Sequence, residues 1–198
     1  MRKPTLALLL AALLPASLAG QARYSLAVGA MGGTKLLTDQ IFEDIKVTQV
    51  LAPTVTLGAN FPVSKRERAG FEVSFANWKS RVVETGEPTI EGPAYRTLSV
   101  TFGVDGPLFS RLTYHGGAGL LKYFPDKQGI FLTGGPLLLV LTGGVDYHFP
   151  LRAPFGLFAR ARYDYHRFST DELQSAGFAR TQDVHRVGLG LGIEYQRP

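Results

Sequence analysis

The sequence predicts an all-β protein, an eight-stranded antiparallel up-and-down transmembrane β-barrel with short turns at one end and long loops at the other. Apolar and polar residues alternate with period two in eight separate runs. The runs are about 8 to 13 residues long, around the 9 to 11 with which a tilted strand crosses a bilayer. The connections between them alternate long and short. The composition agrees: 23 of the 198 residues are Gly and 12 are Pro, 11% are aromatic and only 19% are charged. Gly and aromatic residues suit strands and turns better than helix interiors. The absence of Cys excludes a disulfide scaffold and a Cys-ligated metal centre. A hydrophobic content of 45% excludes a disordered chain, and the length suits a single domain.

The chain opens on an address. Arg2 and Lys3 precede the apolar run 6–14, then come Pro15 and small residues ending at Ser17-Leu18-Ala19 or Gly20-Gln21-Ala22. A basic start, an apolar stretch and a small-residue cleavage site mark residues 1–22 as a cleaved export signal, leaving 23–198 as one barrel domain. The apolar run is about half the ~20 residues of a spanning helix and ends in proline, which argues against an anchor. Leu18-Ala19-Gly20 resembles the start of a lipoprotein box, but Gln21 stands where the lipidated Cys belongs. Cleavage removes Arg2 and Lys3 from 21 basic residues and leaves 19 against 16 acids, a formal charge of +3. That surplus is too small to indicate a nucleic-acid partner.

Strands are expected at 24–32, 54–61, 71–79, 97–104, 113–122, 137–149, 155–166 and 187–195. In the second, Val55, Leu57, Ala59 and Phe61 alternate with Thr54, Thr56, Gly58 and Asn60. In the fourth, Leu98, Val100, Phe102 and Val104 alternate with Thr97, Ser99, Thr101 and Gly103. The seventh sets Phe155, Leu157, Ala159, Ala161, Tyr163 and Tyr165 against Gly156, Phe158, Arg160, Arg162, Asp164 and His166. The last sets Val187, Leu189, Leu191, Ile193 and Tyr195 against Gly188, Gly190, Gly192 and Glu194. These glycines alternate within a strand, so they make room inside a barrel and are not a phosphate loop, which needs a strand-to-helix junction. No later stretch reaches about 18 consecutive apolar residues, so no spanning helix is expected.

Connections at 33–53, 80–94, 123–136 and 169–183 are long, and those at 62–70, 105–112 and 150–154 are short. A sandwich gives no reason for that alternation, whereas a membrane barrel does. Aromatic residues gather at both strand ends. Tyr24, Phe61, Phe71, Phe109, Tyr114, Tyr147, Phe149, Phe155 and Tyr195 lie toward the short turns. Trp78, Tyr95, Tyr123, Phe124, Tyr165 and Phe168 lie toward the long loops. Two rings at that spacing read as headgroup-level girdles.

On this pattern, and on Gly190, Ile193 and Tyr195 near the C-terminus, the chain resembles the eight-stranded bacterial outer-membrane β-barrel families, the opacity-type and outer-membrane-protein-A-type transmembrane domains. The resemblance spans essentially all of 23–198. It implies residence in the Gram-negative outer membrane, with periplasmic turns, extracellular loops and surroundings of outer-membrane lipid and lipopolysaccharide. It also implies that the barrel-assembly machinery reads Gly190, Ile193 and Tyr195 as its signal. The chain departs from the pattern in carrying Gln196, Arg197 and Pro198 after the aromatic that is usually terminal.

The inward faces hold Glu72, His115, Asp146, His148, Arg160, Arg162, Asp164, His166 and Glu194. An eight-stranded barrel is just wide enough to be filled by side chains. Opposed charges there should pair, because an isolated buried ion is costly. Arg160 and Arg162 are therefore expected to bridge to some of Glu72, Asp146, Asp164 and Glu194 as a plug. The same residues with gaps between them form a narrow ion path. His115, His148 and Asp146 converge at the short-turn end of the lumen, yet no third His is in register, so no metal or other cofactor is expected.

An enzyme needs a nucleophile and base. The nearest pattern is His166 and Ser169 with Asp171 and Glu172, which resembles the His and Ser that outer-membrane lipid A deacylases set on a lipid-facing strand surface to meet an acyl ester. A spacing of three, however, places His166 and Ser169 on opposite faces of a strand, with His166 inward. A lipid A-modifying enzyme is therefore only an alternative, and the expectation is no enzyme. The long loops are the expected recognition surface for an envelope or surface protein. The first carries Asp39, Glu43, Asp44 and Lys46 with the apolar Leu36, Leu37, Ile41 and Phe42, which read as a short helix over the rim or as a partner contact. The second is a mixed polar segment with Arg81, Glu84, Glu87 and Glu91. A soluble lipocalin-like barrel is the remaining reading, and it requires an apolar interior.

Overall fold

A computed structural model describes residues 22–38, 45–84, 86–126, 135–151, 153–169 and 181–196. Apart from Ala22 the export signal lies outside these residues, as do Asp39, Ile41, Phe42, Glu43, Asp44, Asp171, Glu172, Arg197 and Pro198.

Eight strands close into one antiparallel barrel: β1 (Arg23–Gly33), β4 (Ala52–Pro62), β5 (Arg68–Trp78), β8 (Tyr95–Phe109), β9 (Leu112–Pro125), β10 (Leu137–Phe149), β11 (Phe155–Ser169) and β12 (Thr181–Gln196). Each pairs with its neighbours in the sequence, and β1 closes the ring against β12 from Arg23 opposite Gln196 to Gly33 opposite Arg186. Closure satisfies every strand's backbone groups without an open edge. The barrel strands are joined through 63–67, 110–111 and 150–154 at one end and through 34–51, 79–94, 126–136 and 170–180 at the other. With 15 residues in β8 and β11 and 16 in β12, these strands run past the length needed to span a bilayer, β11 and β12 at the long-loop end and β8 at the short-turn end.

Period-two alternation puts the apolar set outside. Leu189 is 69% exposed and Phe102 53%, and Val28, Leu57, Phe75, Leu120, Leu141 and Leu191 are exposed alongside them. The opposite faces carry buried Thr56, Ser74, Thr97, Ser99, Thr101, Asp146, Arg162 and Asp164. This is a water-soluble barrel turned inside out, and it suits acyl chains on the exterior. It also removes the lipocalin-like reading, which needs the reverse arrangement.

Two long connections contain strands that period analysis did not single out. They are β2 (Lys35–Thr38), β3 (Ile45–Gln49), β6 (Ser80–Glu84) and β7 (Ile90–Glu91), which form a second sheet in the order β2-β3-β6-β7. The sheet prolongs the barrel wall: β3 is followed by β4 after a two-residue break, and β6 follows β5 after Lys79. The apolar residues of the first loop are thus not a helix over the rim in their described part. Leu36 and Val47 are buried and pack with Met31, Trp78, Tyr95, Tyr123, Leu121, Val140 and Val184 in one cluster that fills the long-loop half of the barrel.

That cluster corrects the girdle. Trp78 and Tyr95 are 0% and 1% exposed, and Tyr123 is equally buried, so all three point into the lumen. Parity gives the reason: Trp78 shares the face of Glu72 and Ser74, and Tyr95 the face of Thr97 and Ser99. Height along the strand alone does not say which way a ring points. Tyr24, Phe71, Phe149, Phe155 and Tyr195 are exposed on the outer wall, with Phe61 and Tyr165 half-buried there. Phe155 and Tyr195 meet at 5.4 Å between ring centroids, as do Tyr147 and Phe149 at 5.2 Å.

Inward glycines leave room for the side chains of adjacent strands. A Cβ on Gly192 lies 2.7 Å from Phe158 Cε1 and 2.8 Å from the Leu26 carbonyl oxygen. Gly116 faces outward, and a Cβ there meets nothing nearer than the Thr142 carbonyl at 3.8 Å. Gly192→Val is therefore expected to destabilise the barrel by about 1–3 kcal/mol through overpacking. Gly116→Ala is expected to stay within about 0.5 kcal/mol of the parent. Urea unfolding of the barrel folded in lipid vesicles measures both.

Candidate functional site

The lumen is built in three levels. At the short-turn mouth Arg23 of β1 donates to Asp105 of β8 and lies 3.6 Å from Glu194 of β12. Glu194 also pairs with His148 Nδ1 at 3.1 Å, and His148 Nε2 bonds Thr113 Oγ1 at 3.0 Å. Arg68 of β5 stands opposite Asp105 in the register.

Above the mouth, Asp146, Arg160, Glu72, Arg162 and Asp164 form an alternating chain. Arg160 grips Asp146 with Nε and Nη2, both at 2.8 Å, and turns Nη1 to Glu72. Arg162 donates from Nη1 to the other oxygen of Glu72 and from Nε to Asp164 at 2.7 Å. Glu72 thus bridges two guanidiniums from β5, across the barrel from β11. The planar fork of arginine makes such sharing possible, since its donors point in fixed and separate directions. A polar cavity of about 50 Å³ lies beside the chain, lined by Glu72, Asp105, His115, Thr142, Asp146 and Arg160 among others. Both ring nitrogens of His115 and the Thr142 hydroxyl are buried without a hydrogen-bonding partner in the described structure. Such a volume with such groups suits a few water molecules.

The third level is a seal. Arg186 of β12 lies 4.3 Å over the Trp78 ring and 5.4 Å over that of Tyr123. It donates to Tyr123 Oη at 2.7 Å and to Gln49 Oε1 at 3.0 Å. Tyr95 Oη donates to the same Gln49 oxygen at 3.0 Å, and Gln49 Nε2 to the Thr34 carbonyl at 3.1 Å. Tyr123 Oη bonds His166 Nε2 at 2.6 Å, and Trp78 Nε1 donates to Thr97 Oγ1 at 3.0 Å. With Leu36 and Val47 of the second sheet packed on top, this layer closes the long-loop half of the lumen.

The sequence-predicted residues therefore divide. Glu72, Asp146, Arg160, Arg162 and Asp164 come together. Glu194 pairs with His148 and Arg23, not with Arg160 or Arg162. His115 reaches only within 3.6 Å of Asp146, and His148 takes a different carboxylate. Among the described residues no group of three His, Asp or Glu is placed to hold a metal ion. His166 belongs to the seal. Sequence reading missed Arg23, Asp105, Arg186, Gln49 and the inward rings; the parity of Asp105 with Thr101 and Gly103 was the signal available for one of them.

The outer wall at the long-loop end carries a separate cluster. Above Val187, Tyr163 Oη bonds His185 Nδ1 at 2.6 Å, and Tyr165 Oη donates to Asp183 at 2.6 Å. Arg167 grips Asp183 through Nε at 2.7 Å and Nη2 at 3.1 Å. The Arg167 guanidinium, then the Tyr165 hydroxyl, hold the Asp183 carboxyl down at about 2.

The closed eight-stranded ring has counterparts among solved structures. OprG, an outer membrane protein from Pseudomonas aeruginosa, superposes with a TM-score of 0.54 at 14% identity over 89% of this chain and 95% of its own. The chain has the fold of the eight-stranded outer-membrane β-barrels. The outer membrane protein AlkL, solved in DMPC lipid bilayers, gives 0.55 at 16% identity over 89% and 90%. Ail, the attachment invasion locus protein of Yersinia pestis, solved with the heparin analogue sucrose octasulfate, gives 0.51 at 16% over 88% and 99%. No protein-family model matches the chain, and no curated protein sequence does.

Removing one partner of a buried ion pair strands the other, so Glu72→Gln is expected to cost about 3–5 kcal/mol in urea unfolding. Arg96 pairs with Asp126 at 2.8 Å on the exposed rim, and Arg96→Gln is expected to cost less than about 1 kcal/mol. An NMR titration of Asp183 is expected to show a midpoint near 2, rising in Arg167→Gln toward the ordinary aspartate value of about 3.9. Because the folded value is the depressed one, the contribution of this pair is present at neutral pH and fades as pH falls from about 3.9 toward 2.

Proposed function

We propose that this chain is an integral protein of the bacterial outer membrane, exported by a cleaved segment at 1–22, with its single domain at 23–198 acting as a non-enzymatic structural or surface-interaction barrel. The observation that carries the reading is the pairing of an apolar outer wall with a lumen filled by ion pairs and an aromatic–arginine seal. A conduit needs connected space, and here guanidiniums and rings occupy it. The long loops and the second sheet then form the surface that meets an envelope or surface protein partner. Ail, the attachment invasion locus protein, offers a precedent on the same fold. The short turns face the periplasm in this reading, and the outer wall meets outer-membrane lipid and lipopolysaccharide. The barrel-assembly machinery recognises Gly190, Ile193 and Tyr195. The non-enzymatic part rests on His166, which is buried in the lumen and bonded to Tyr123, out of reach of an ester at the membrane face.

The alternative of a narrow porin-like channel has the polar cavity beside His115 in its favour. Planar-bilayer recording decides between them. The refolded parent protein, folded as judged by a gel shift on boiling in SDS, is expected to give no stepwise current. The double variant Trp78→Ala, Arg186→Ala is expected to open ion-conducting steps. Steps in the parent protein assign the channel reading instead.

A further inference from the structure

We infer that the short-turn rim is a docking surface for the anionic phospholipid headgroups of the leaflet it lies against. The inference rests on the membrane reading above and names a partner for one end of the barrel. By sequence the short turns 63–67, 110–111 and 150–154 hold four bases and one acid, whereas the long connections 34–51, 79–94, 126–136 and 170–180 hold nine acids and six bases. The barrel is therefore electrically polar along its axis, positive at the turns.

Lys65, Arg66 and Arg111 are exposed in those turns. None of the three makes an ion pair among the described residues. The carboxylate of the one acid, Glu67, faces the Ser64 hydroxyl at 3.5 Å and the Tyr114 hydroxyl at 3.4 Å. Apolar side chains stand beside the cations at the same depth: Phe109 is 74% exposed and Val63 61%, with Leu108 and Leu151 also exposed. Bare apolar tips next to unpaired cations suit the boundary where headgroup phosphates overlie acyl chains. Lone cations in water give no reason for the apolar tips, and a dry protein interface gives none for the cations. Topology adds a second argument. In the orientation proposed above, the long connections cross the bilayer on insertion and the turns do not, so a cationic rim stays on the side of entry.

Each Lys or Arg beside an anionic surface is worth about fivefold in partitioning at low salt. The full chain, diluted from urea into phosphatidylcholine vesicles alone or mixed four to one with phosphatidylglycerol, is expected to associate at least tenfold more strongly with the anionic vesicles. Half-molar salt is expected to abolish the preference by screening. The variant K65Q/R66Q/R111Q is expected to fold in neutral vesicles and to show no preference. Should it not fold there, K65Q/R66Q is expected to lose most of the preference. A preference as large in the folded variant as in the parent overturns the inference, as does a parent with none. Loss of co-sedimentation with purified cell-wall sacculi in the variant, with the vesicle preference unchanged, overturns it in favour of the cell-wall polymer. Absence of any heat-modifiable band in either vesicle overturns the membrane reading itself.

Discussion

Charge neutrality inside a closed cylinder is the constraint on which the rest of this barrel depends. Among the described residues the lumen holds five guanidiniums, from Arg23, Arg68, Arg160, Arg162 and Arg186, and five carboxylates, from Glu72, Asp105, Asp146, Asp164 and Glu194. Each ion taken out of water carries a penalty of several kcal/mol, so a surplus of either sign has nowhere to go. The central chain of three acids and two arginines is one positive charge short, and Arg186 stands opposite Asp164 in the register. The mouth group of Asp105, Glu194 and Arg23 is likewise one short, and Arg68 stands opposite Asp105. The two halves balance separately, so the lumen needs no counter-ion from outside.

A polar filling also answers a problem of passage. A strand apolar on both faces would be a ready template for aggregation before it reached a bilayer. Placing Thr, Ser, Arg and Asp on one face keeps each strand amphipathic, and closure then hides that face. Inward glycines on β12 follow from the same arrangement. Phe158 lies over its register partner Gly192 on the neighbouring strand, and larger residues there would collide with it.

How much was legible in the sequence follows from what periodicity can encode. Eight runs, their faces and the closing order were readable, because alternation and loop length are local properties. The long-loop half was not. Residues 45–49 and 80–84 are strands only because they extend β4 and β5 and can pair with each other, and five residues carry too little alternation to declare themselves. The central ion pairs were foreseeable from parity alone. The seal was not, since Gln49 comes from a segment read as loop and Arg186 from a strand end placed outside the expected 187–195. Height along the strand places Trp78 and Tyr95 in a girdle, whereas their parity with Glu72 and Thr97 turns them inward.

Trp78 is the only tryptophan in the chain, and it lies beneath Arg186 in a layer that lipid does not touch. The protein's intrinsic ultraviolet emission therefore reports the plug and not the bilayer. Quenchers confined to acyl chains should leave it bright, while any opening of the cap should dim or shift it. The chain thus carries an internal optical probe whose signal separates a barrel that has merely inserted from one that has finished closing.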